Sequence, residues 1–448
     1  MAYSFGLRAA GTTIRTEILA GVTTWLAMVY IVVVNPAILA STGMDHGALF
    51  VATCLGAGIA TIAMGLYANY PLALAPGMGL NAYFAFAVVG GLKIPWQVAL
   101  GAVFLSGLLF LAVSLLRLRE WLINTIPLSL KFGIGAGIGF FLALIGLENM
   151  GVVTASPATL VTLGNLGAPR TMLACGGFLV MATLAARGVP AAVLIGILAT
   201  AAAGIPFGLT TYAGVAALPP SLAPTFLRMD IPGALSLGLV SIVLTFFLVD
   251  VLDNAGTLIA TTHRAGLMRP DGTVPRLRQA LTADSGGAIL GAALGTSTVT
   301  SYIESAAGIQ AGGRTGLTAV VTGLLFLATL FFAPLATAIP GFATAPALVF
   351  VACLMARALR EVNWDDLTDY LPAVVTAIAM PFTFSITAGI GIGFIVFATV
   401  KTLAGRPREV GGAVWLIAAA SAARFMLQGY LSVDAINFRL PSLRRWSG

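Results

Sequence analysis

The chain is 448 residues long, 59% hydrophobic and only 9% charged, with a mean hydropathy of +1.00. Apolar side chains on this scale outnumber what a globular core can bury, which excludes a string of water-soluble domains and makes lipid the solvent of the surface. The net charge of +7, from 23 Lys and Arg against 16 Asp and Glu, makes no case for nucleic acid in such a chain and instead raises the question of which loops hold the cations.

In chain order, Arg8 and Arg15 precede a first apolar stretch, 18–40, which has no short hydrophobic core ending in a small-residue cleavage site and is expected to be retained as a span. Stretches able to cross or half cross a bilayer follow near 48–66, 73–90, 97–116, 131–147, 171–186 and 189–206. A more polar connection runs from Pro206 to Pro232, and a second set lies near 236–261, 278–294, 296–311, 316–336, 343–358, 369–383 and 386–402. Backbone amides in hydrocarbon must be bonded within their own segment, so all of these are expected to be helices, Val and Ile runs included. A last stretch, 411–427, contains Arg424 and precedes Arg439, Arg444 and Arg445; it reads as interfacial or packed on the bundle.

The cations test this count of seven and seven. With a cytoplasmic N-terminus, the inside loops hold Arg117 and Arg119, Arg187, Arg264 with Arg269, Arg276 and Arg278, Arg314, Arg357 and Arg360, and Lys401 with Arg406 and Arg408. The outside loops hold only Lys93, Arg170 and Arg228. That asymmetry predicts a multi-pass protein of the plasma (inner) membrane with both termini cytoplasmic.

Several features carry no chemistry. Cys54, Cys175 and Cys353 sit in apolar runs without CxxC spacing and are expected to be small buried hydrophobes. His46 and His263 fall in or beside loops on opposite sides, so they are expected to be solvated and to form no metal cluster. The run Gly133-Ile134-Gly135-Ala136-Gly137-Ile138-Gly139 lies in an apolar span with no preceding strand, which points to helix packing, not a dinucleotide loop. With no Walker loop, HExxH or GxSxG, neither an enzyme nor a drive by ATP is indicated, and no cofactor is expected.

The two sets correspond at an offset of about 219 residues, and because seven is odd they are inverted across the membrane, a plan of secondary transporters. The third segment of each is interrupted: Pro76-Gly77-Met78-Gly79-Leu80-Asn81-Ala82-Tyr83 and Gly295-Thr296-Ser297-Thr298-Val299-Thr300-Ser301-Tyr302, with Tyr83 and Tyr302 at the same offset. Each is expected to run extended and then as a half-helix, whose free N–H groups and positive dipole end face a polar cavity at membrane depth.

An ionisable group at the bilayer centre costs about 2.5–3.5 kcal/mol, so each acid there needs an account. Asp250 and Asp253 share a helical face with Thr257, Glu304 sits in the second broken segment, Asp284 lies in Thr282–Gly287, and Glu148 ends the fifth span. A carboxylate accepts two parallel N–H donors of a guanine-like edge or the single N–H of a hypoxanthine-like one. Glu304 is therefore the first candidate for holding a planar base, with Thr298, Thr300 and Ser301 of the same broken segment beside it. Glu304, Asp253, Asp250 and Asp284 are candidates for carrying a coupled proton, although Asp250 and Asp284 could equally cap backbone or pair with Ser and Thr.

At these residues the sequence resembles the AzgA-like branch of the nucleobase:cation symporter (xanthine/uracil permease) family, the guanine, hypoxanthine and adenine permeases, over about residues 5–410. The landmarks are Gly11-Thr12-Thr13-Ile14-Arg15-Thr16-Glu17, Asn35-Pro36, Ala75 through Ala82, Gly256-Thr257-Leu258, Gly295 through Gly308, and Gly312-Gly313-Arg314-Thr315-Gly316. The resemblance implies an all-α polytopic membrane protein of fourteen transmembrane helices in a 7+7 inverted repeat, the UraA-like fold, with spans 3 and 10 discontinuous, often as a homodimer. It implies a core domain from 1–116 and 236–336 and a gate domain from 117–207 and 337–403, with 208–235 an external connection and 404–448 a cytoplasmic or interfacial end. It also implies base recognition by Asn81, Asp253 and Glu304, with Asp250 a nearby structural or proton-linked acid. Where the branch often reads Phe-Asp-Thr, this chain has Leu252-Asp253-Asn254-Ala255, and Glu148 stands where relatives often carry Gln.

The expected function is import of purine bases (hypoxanthine, guanine or adenine) by symport with H⁺ or Na⁺ across the lipid bilayer, the core moving against the gate as an elevator or by rocking. The alternatives are a uracil or xanthine carrier of the same fold and a 7+7 transporter of sulfate or bicarbonate.

Overall fold

The apolar runs fold where their lengths require. The computed structural model describes residues 5–115, 126–156, 159–211, 214–236, 240–265, 267 and 275–439, with side chains described except at 252, 253, 255, 256, 259, 260, 263, 264, 424 and 427–439. Span 1 comprises Ile14–Met28 and Ile31–Leu39, followed by span 2 His46–Ala63, span 4 Trp96–Leu115, span 5 Leu128–Asn149, span 6 Pro169–Ala186 and span 7 Ala192–Gly204. The second set comprises span 8 Val240–Arg264, span 9 Leu277–Leu294, span 11 Gly316–Ala328 continued by Ala333–Thr337, span 12 Gly341–Ala356, span 13 Leu367–Phe382 and span 14 Ile386–Leu403. Among the described residues, eight helical segments are long and apolar enough to cross a membrane unaided.

Four short strands depart from the all-helical expectation: β1 Leu74–Pro76, β2 Val153–Ser156, β3 Leu160–Leu163 and β4 Val299–Ser301. β2 and β3 form a hairpin between spans 5 and 6. β1 and β4 belong to spans 3 and 10 and pair antiparallel with each other, Ala75 opposite Thr300. The pairing is extended by Tyr302 N–H donating to the Ala73 carbonyl at 3.0 Å and Gly77 N–H to the Thr298 carbonyl at 2.9 Å. Pro76 and the glycines interrupt the helix, and the extended backbone is tolerated because each strand satisfies the other inside the protein. Beyond the strands, Met78–Ala82 continues as wide π-type turns to Gly91, and Ser305–Gln310 forms the shorter half-helix.

The strands end at Pro76 and Ser301, an offset of 225 where the letters suggest 219. Tyr83 accordingly lies within the helical part of span 3, whereas Tyr302 precedes the half-helix of span 10 and donates its hydroxyl to the Pro76 carbonyl. The tyrosine match is not a symmetry of the fold. A truer one is polar: the eighth residues of spans 2 and 9, Thr53 and Asp284, each accept an amide N–H from an asparagine of the preceding span, Asn35 and Asn254.

Contacts divide the chain into two units, residues 1–123 with 142–354 and residues 124–141 with 355–448. In the first, spans 1, 2 and 11 meet through backbone: a Cβ at Gly316 would stand 1.9 Å from the Gly65 carbonyl oxygen, and one at Gly58 3.1 Å from that of Gly323. Small residues let helices approach where lipid supplies no hydrophobic drive between them. In the second, a Cβ at Gly133 would meet the Ala373 carbonyl at 2.6 Å and one at Gly137 the Ala377 Cα at 3.0 Å, so the glycine run serves helix packing as expected. The last helix, Gly412–Arg439, packs on span 14, with Ser421 and Phe425 against Gly391.

Other expectations need adjustment. Cys54 is buried, but Cys175 is only partly so and Cys353 is exposed on span 12, because an apolar helix in lipid has no need to bury every small side chain. His46 is half-buried as the first residue of span 2. His263 belongs to the last turn of span 8 and its side chain lies outside the described residues, as do Arg117, Arg119 and Arg269. Glu148 is exposed at the end of span 5.

Where span 13 begins and span 14 ends, buried Lys401 contacts Asp369 at 2.9 Å and Glu409 at 2.8 Å, while Arg406 holds Asp366 and Glu409. Hydrogen bonds from Thr368 and Arg406 hold the Asp366 carboxyl well below its ordinary range, and Lys401 and Arg406 lower that of Glu409. Folded-state values below the unfolded ones give stability that is complete at neutral pH and is lost as the pH falls through the carboxylate range, about 4. Thermal unfolding in detergent should show wild type ahead of Asp366→Asn at neutral pH, with the margin shrinking below about pH 4; a margin independent of pH contradicts this. Gly133→Ala should cost about 1–3 kcal/mol by overpacking against the Ala373 backbone, read as a lower unfolding temperature than Gly135→Ala, whose Cβ meets only the Ala358 methyl at 3.9 Å.

Candidate functional site

The helix of span 1 is broken at Val29–Tyr30. Pro36 has no N–H and crowds the carbonyl one turn before it, and upstream of it the helix tightens, with Val32 and Val33 N–H donating to the Val29 and Tyr30 carbonyls at 3.1 Å. Tyr30 donates its hydroxyl to Glu304 Oε1 at 3.0 Å. Glu304, half-buried, ends the turn from β4 into the half-helix.

Tyr30 and Glu304 line a cavity of about 180 Å³ together with Ala27, the Gly188-Val189-Pro190 connection between spans 6 and 7, and Phe350, Val351 and Leu354 of span 12. Its remaining wall is apolar, so one carboxylate and one phenol supply the side-chain polarity.

The half-helix of span 10 does not present the free amides expected of it. Ser305, Ala306 and Ala307 N–H donate at 3.2, 3.0 and 2.9 Å to the carbonyls of Tyr302, Ile303 and Glu304, because the turn is tight enough to satisfy them locally.

The other candidates lie deeper, around the strand crossing. Asn81, Thr298 and Thr300 are fully buried; both amide atoms of Asn81 and both hydroxyls have no hydrogen-bond partner among the described residues. A Cβ at Gly77 would stand 3.1 Å from the Thr300 methyl, while Val299 between the threonines packs towards Gly56 and Gly291 of spans 2 and 9. None of these three lines the cavity that Glu304 faces. Ser301 is committed elsewhere, its N–H and hydroxyl donating to Asp284 Oδ1 at 2.8 and 2.7 Å. Asp250 is buried in span 8, and the Asp253 side chain lies outside the described residues. Phe246 of span 8 stacks edge-on to Tyr83 at 4.9 Å, tying span 8 to span 3.

Sequence reasoning did not single out Tyr30 or the task of Glu17. Glu17, fully buried, accepts Arg314 N–H at 2.9 Å, Thr315 N–H at 3.2 Å, and both the N–H, at 3.3 Å, and the hydroxyl of Thr318. It caps the start of span 11 from span 1, where the positive end of the helix favours a carboxylate. A buried acid four residues into the first span was the available signal. Among the described residues no group of three or more His, Cys, Asp or Glu could hold a metal ion.

A family profile described as the Permease family (Xan_ur_permease) matches residues 15–392. The chain is similar to the adenine permease AdeP of Escherichia coli (strain K12), 49% identical over 414 residues that cover 92% of this chain and 93% of that protein. It is similar to the guanine/hypoxanthine permease PbuG of Bacillus subtilis (strain 168), 46% identical over 412 residues, covering 89% and 93%. Its fold is that of the transmembrane domain of a cyanobacterium bicarbonate transporter, BicA, with a TM-score of 0.64 at 18% identity over 84% of this chain and 97% of that one. The architecture is therefore the mostly helical, seven-plus-seven inverted repeat with spans 3 and 10 interrupted.

Removing the Glu17 cap would leave buried N–H groups unsatisfied at about 1–3 kcal/mol each. Glu17→Ala should therefore lower the unfolding temperature in detergent far more than Glu148→Ala, at an exposed acid; equal effects contradict the assignment.

Proposed function

The chain belongs to the Permease family (Xan_ur_permease), a family of multi-pass membrane proteins, and from that membership we propose that it carries purine nucleobases across the membrane in symport with a cation, the proton first. The observation that carries this reading is Glu304, an acid facing an apolar cavity and held by Tyr30. A flat base suits such a space: its faces need apolar walls and its ring N–H groups need an acceptor. AdeP and PbuG, named for adenine and for guanine and hypoxanthine, support a purine as the cargo.

Sulfate or bicarbonate carriage is disfavoured by the same site. A carboxylate in the cavity repels an anion, and the span 10 amides that would attract one are bonded to their own turn. In the proposed cycle Glu304 takes the ring N–H groups, Asp253 and Asn81 join from spans 8 and 3, and Thr298 and Thr300 offer hydroxyls once the base has entered. Glu304, Asp253 and Asp250 are the groups through which a proton would be coupled. The core, 1–116 and 236–336, would move against the gate, 117–207 and 337–403, with both termini cytoplasmic.

Uptake of radiolabelled adenine, hypoxanthine, guanine, xanthine and uracil by cells lacking their own carriers tests this. Purine entry is expected, and it should fall to background in Glu304→Gln at unchanged membrane abundance. Entry of sulfate without any base, or full uptake by Glu304→Gln, contradicts it. Abolition by a protonophore at constant sodium is expected of proton coupling; dependence on sodium alone contradicts that part.

A further inference from the structure

Asn254 departs from the pattern of the resembling branch, and the structure gives it a task. We propose that Asn254, Asp284 and Ser301 form a positioning bridge that sets span 8 and the turn bearing Glu304 in one register; the inference rests on the transport reading above. The Asn254 amide donates to Asp284 Oδ2, while Oδ1 of the same carboxylate accepts the backbone N–H of Ser301 at 2.8 Å and its hydroxyl at 2.7 Å. All three residues are buried, so each bond forms where no water competes.

The neighbours give the bridge its meaning. Asp253 precedes Asn254 on the same helix and Glu304 follows Ser301 by three residues, so anchoring 254 and 301 to one carboxylate fixes the backbone that carries both acids. The first repeat supplies the comparison. Asn35 donates to Thr53 Oγ1 at 2.6 Å and to Thr296 Oγ1 at 2.9 Å, so an asparagine meets the eighth residue of the next span in both repeats. Only the second has a carboxylate at that residue. Pro76 ends β1 as Ser301 ends β4, and proline has no N–H to give, so an acid at Thr53 would be a buried charge short of donors. The bonds from Asn254 and Ser301 are all accepted by the Asp284 carboxylate, which suits an anchor.

The exchange of the two side chains separates anchor from proton carrier. In Asp284→Asn alone, the carbonyl keeps the Ser301 donors and the amide meets Asn254 only if that side chain turns over to offer its oxygen, so the charge-assisted bonds of the bridge become neutral ones. In Asn254→Asp with Asp284→Asn, residue 284 donates to residue 254 and its carbonyl keeps both donors of Ser301. Radiolabelled adenine uptake should show KM raised about tenfold or more in the single variant, the loss of one charge-assisted bond, with Vmax per membrane-inserted molecule changed much less. The exchange should return KM to within about threefold of wild type with the pH profile unaltered. A wild-type KM in Asp284→Asn overturns the proposal, as does an exchange that fails to recover KM or one that moves the pH profile with the carboxylate. If Asp284→Asn does not reach the membrane, Ser301→Ala removes one bond and is expected to raise KM about threefold or more; an unchanged KM overturns the bridge. If wild type takes up no base, the transport reading fails by itself. The bridge is then read in detergent, where the single variant should unfold at a lower temperature and the exchange should recover it; no recovery overturns it.

Discussion

Everything in this fold depends on satisfying backbone amides at a depth where no water can reach them. Spans 3 and 10 cannot do so as helices, because Pro76 and the surrounding glycines interrupt them, and they do so through each other instead. The antiparallel pair needs neighbours that allow it. Val299 packs towards Gly56 and Gly291, Thr300 lies against Gly77, and the Ser305 hydroxyl receives the Ala73 N–H at 3.0 Å. The Tyr302 hydroxyl and Thr61 take up further carbonyls, those of Pro76 and Leu74. The crossing is thus a small sheet enclosed by spans 2 and 9, and the turn that follows it carries the acid of the site.

Three carboxylates of the first unit show how donors divide anchoring from function. Glu17 accepts the Arg314, Thr315 and Thr318 donors at the start of span 11, and Asp284 accepts Ser301 at the end of β4 and Asn254 of span 8; both are buried and both tie distant segments together. Glu304 instead faces a cavity, beside a phenol that can donate to it and can also give way to another donor. An acid surrounded by backbone donors is costly to disturb and suits scaffolding, whereas an acid at a cavity wall can exchange partners.

The span pattern was legible because hydropathy and length are nearly sufficient in lipid: the fourteen apolar stretches, the two interruptions and the packing role of Gly133–Gly139 all lay in the letters. Pairing was not, since Leu74–Pro76 carries no alternation and its partner lies more than two hundred residues away. The repeat register went astray at Tyr83 and Tyr302 because loops and turns change length between the halves, so one offset cannot serve every span. Glu304 was legible as an acid in an expensive place. Tyr30 was not, because an aromatic in an apolar run looks like any lipid-facing residue until its hydroxyl is seen to meet Glu304. Asn254 was noticed as a departure, and only its distance in space from Asp284, thirty residues on in sequence, gives it a role.

β1 and β4 pair across the two repeats and hold the acid-bearing turn, and cross-linking tests this most directly. Facing Cα atoms of an antiparallel pair stand about 5.5 Å apart in hydrogen-bonded register, within disulfide reach. In a background with Cys54, Cys175 and Cys353 replaced, Ala75→Cys with Thr300→Cys should form an intramolecular disulfide on mild oxidation in native membranes, and Ala75→Cys with Thr298→Cys should form far less. No disulfide at 75–300, or equal yields from both pairs, would contradict the account.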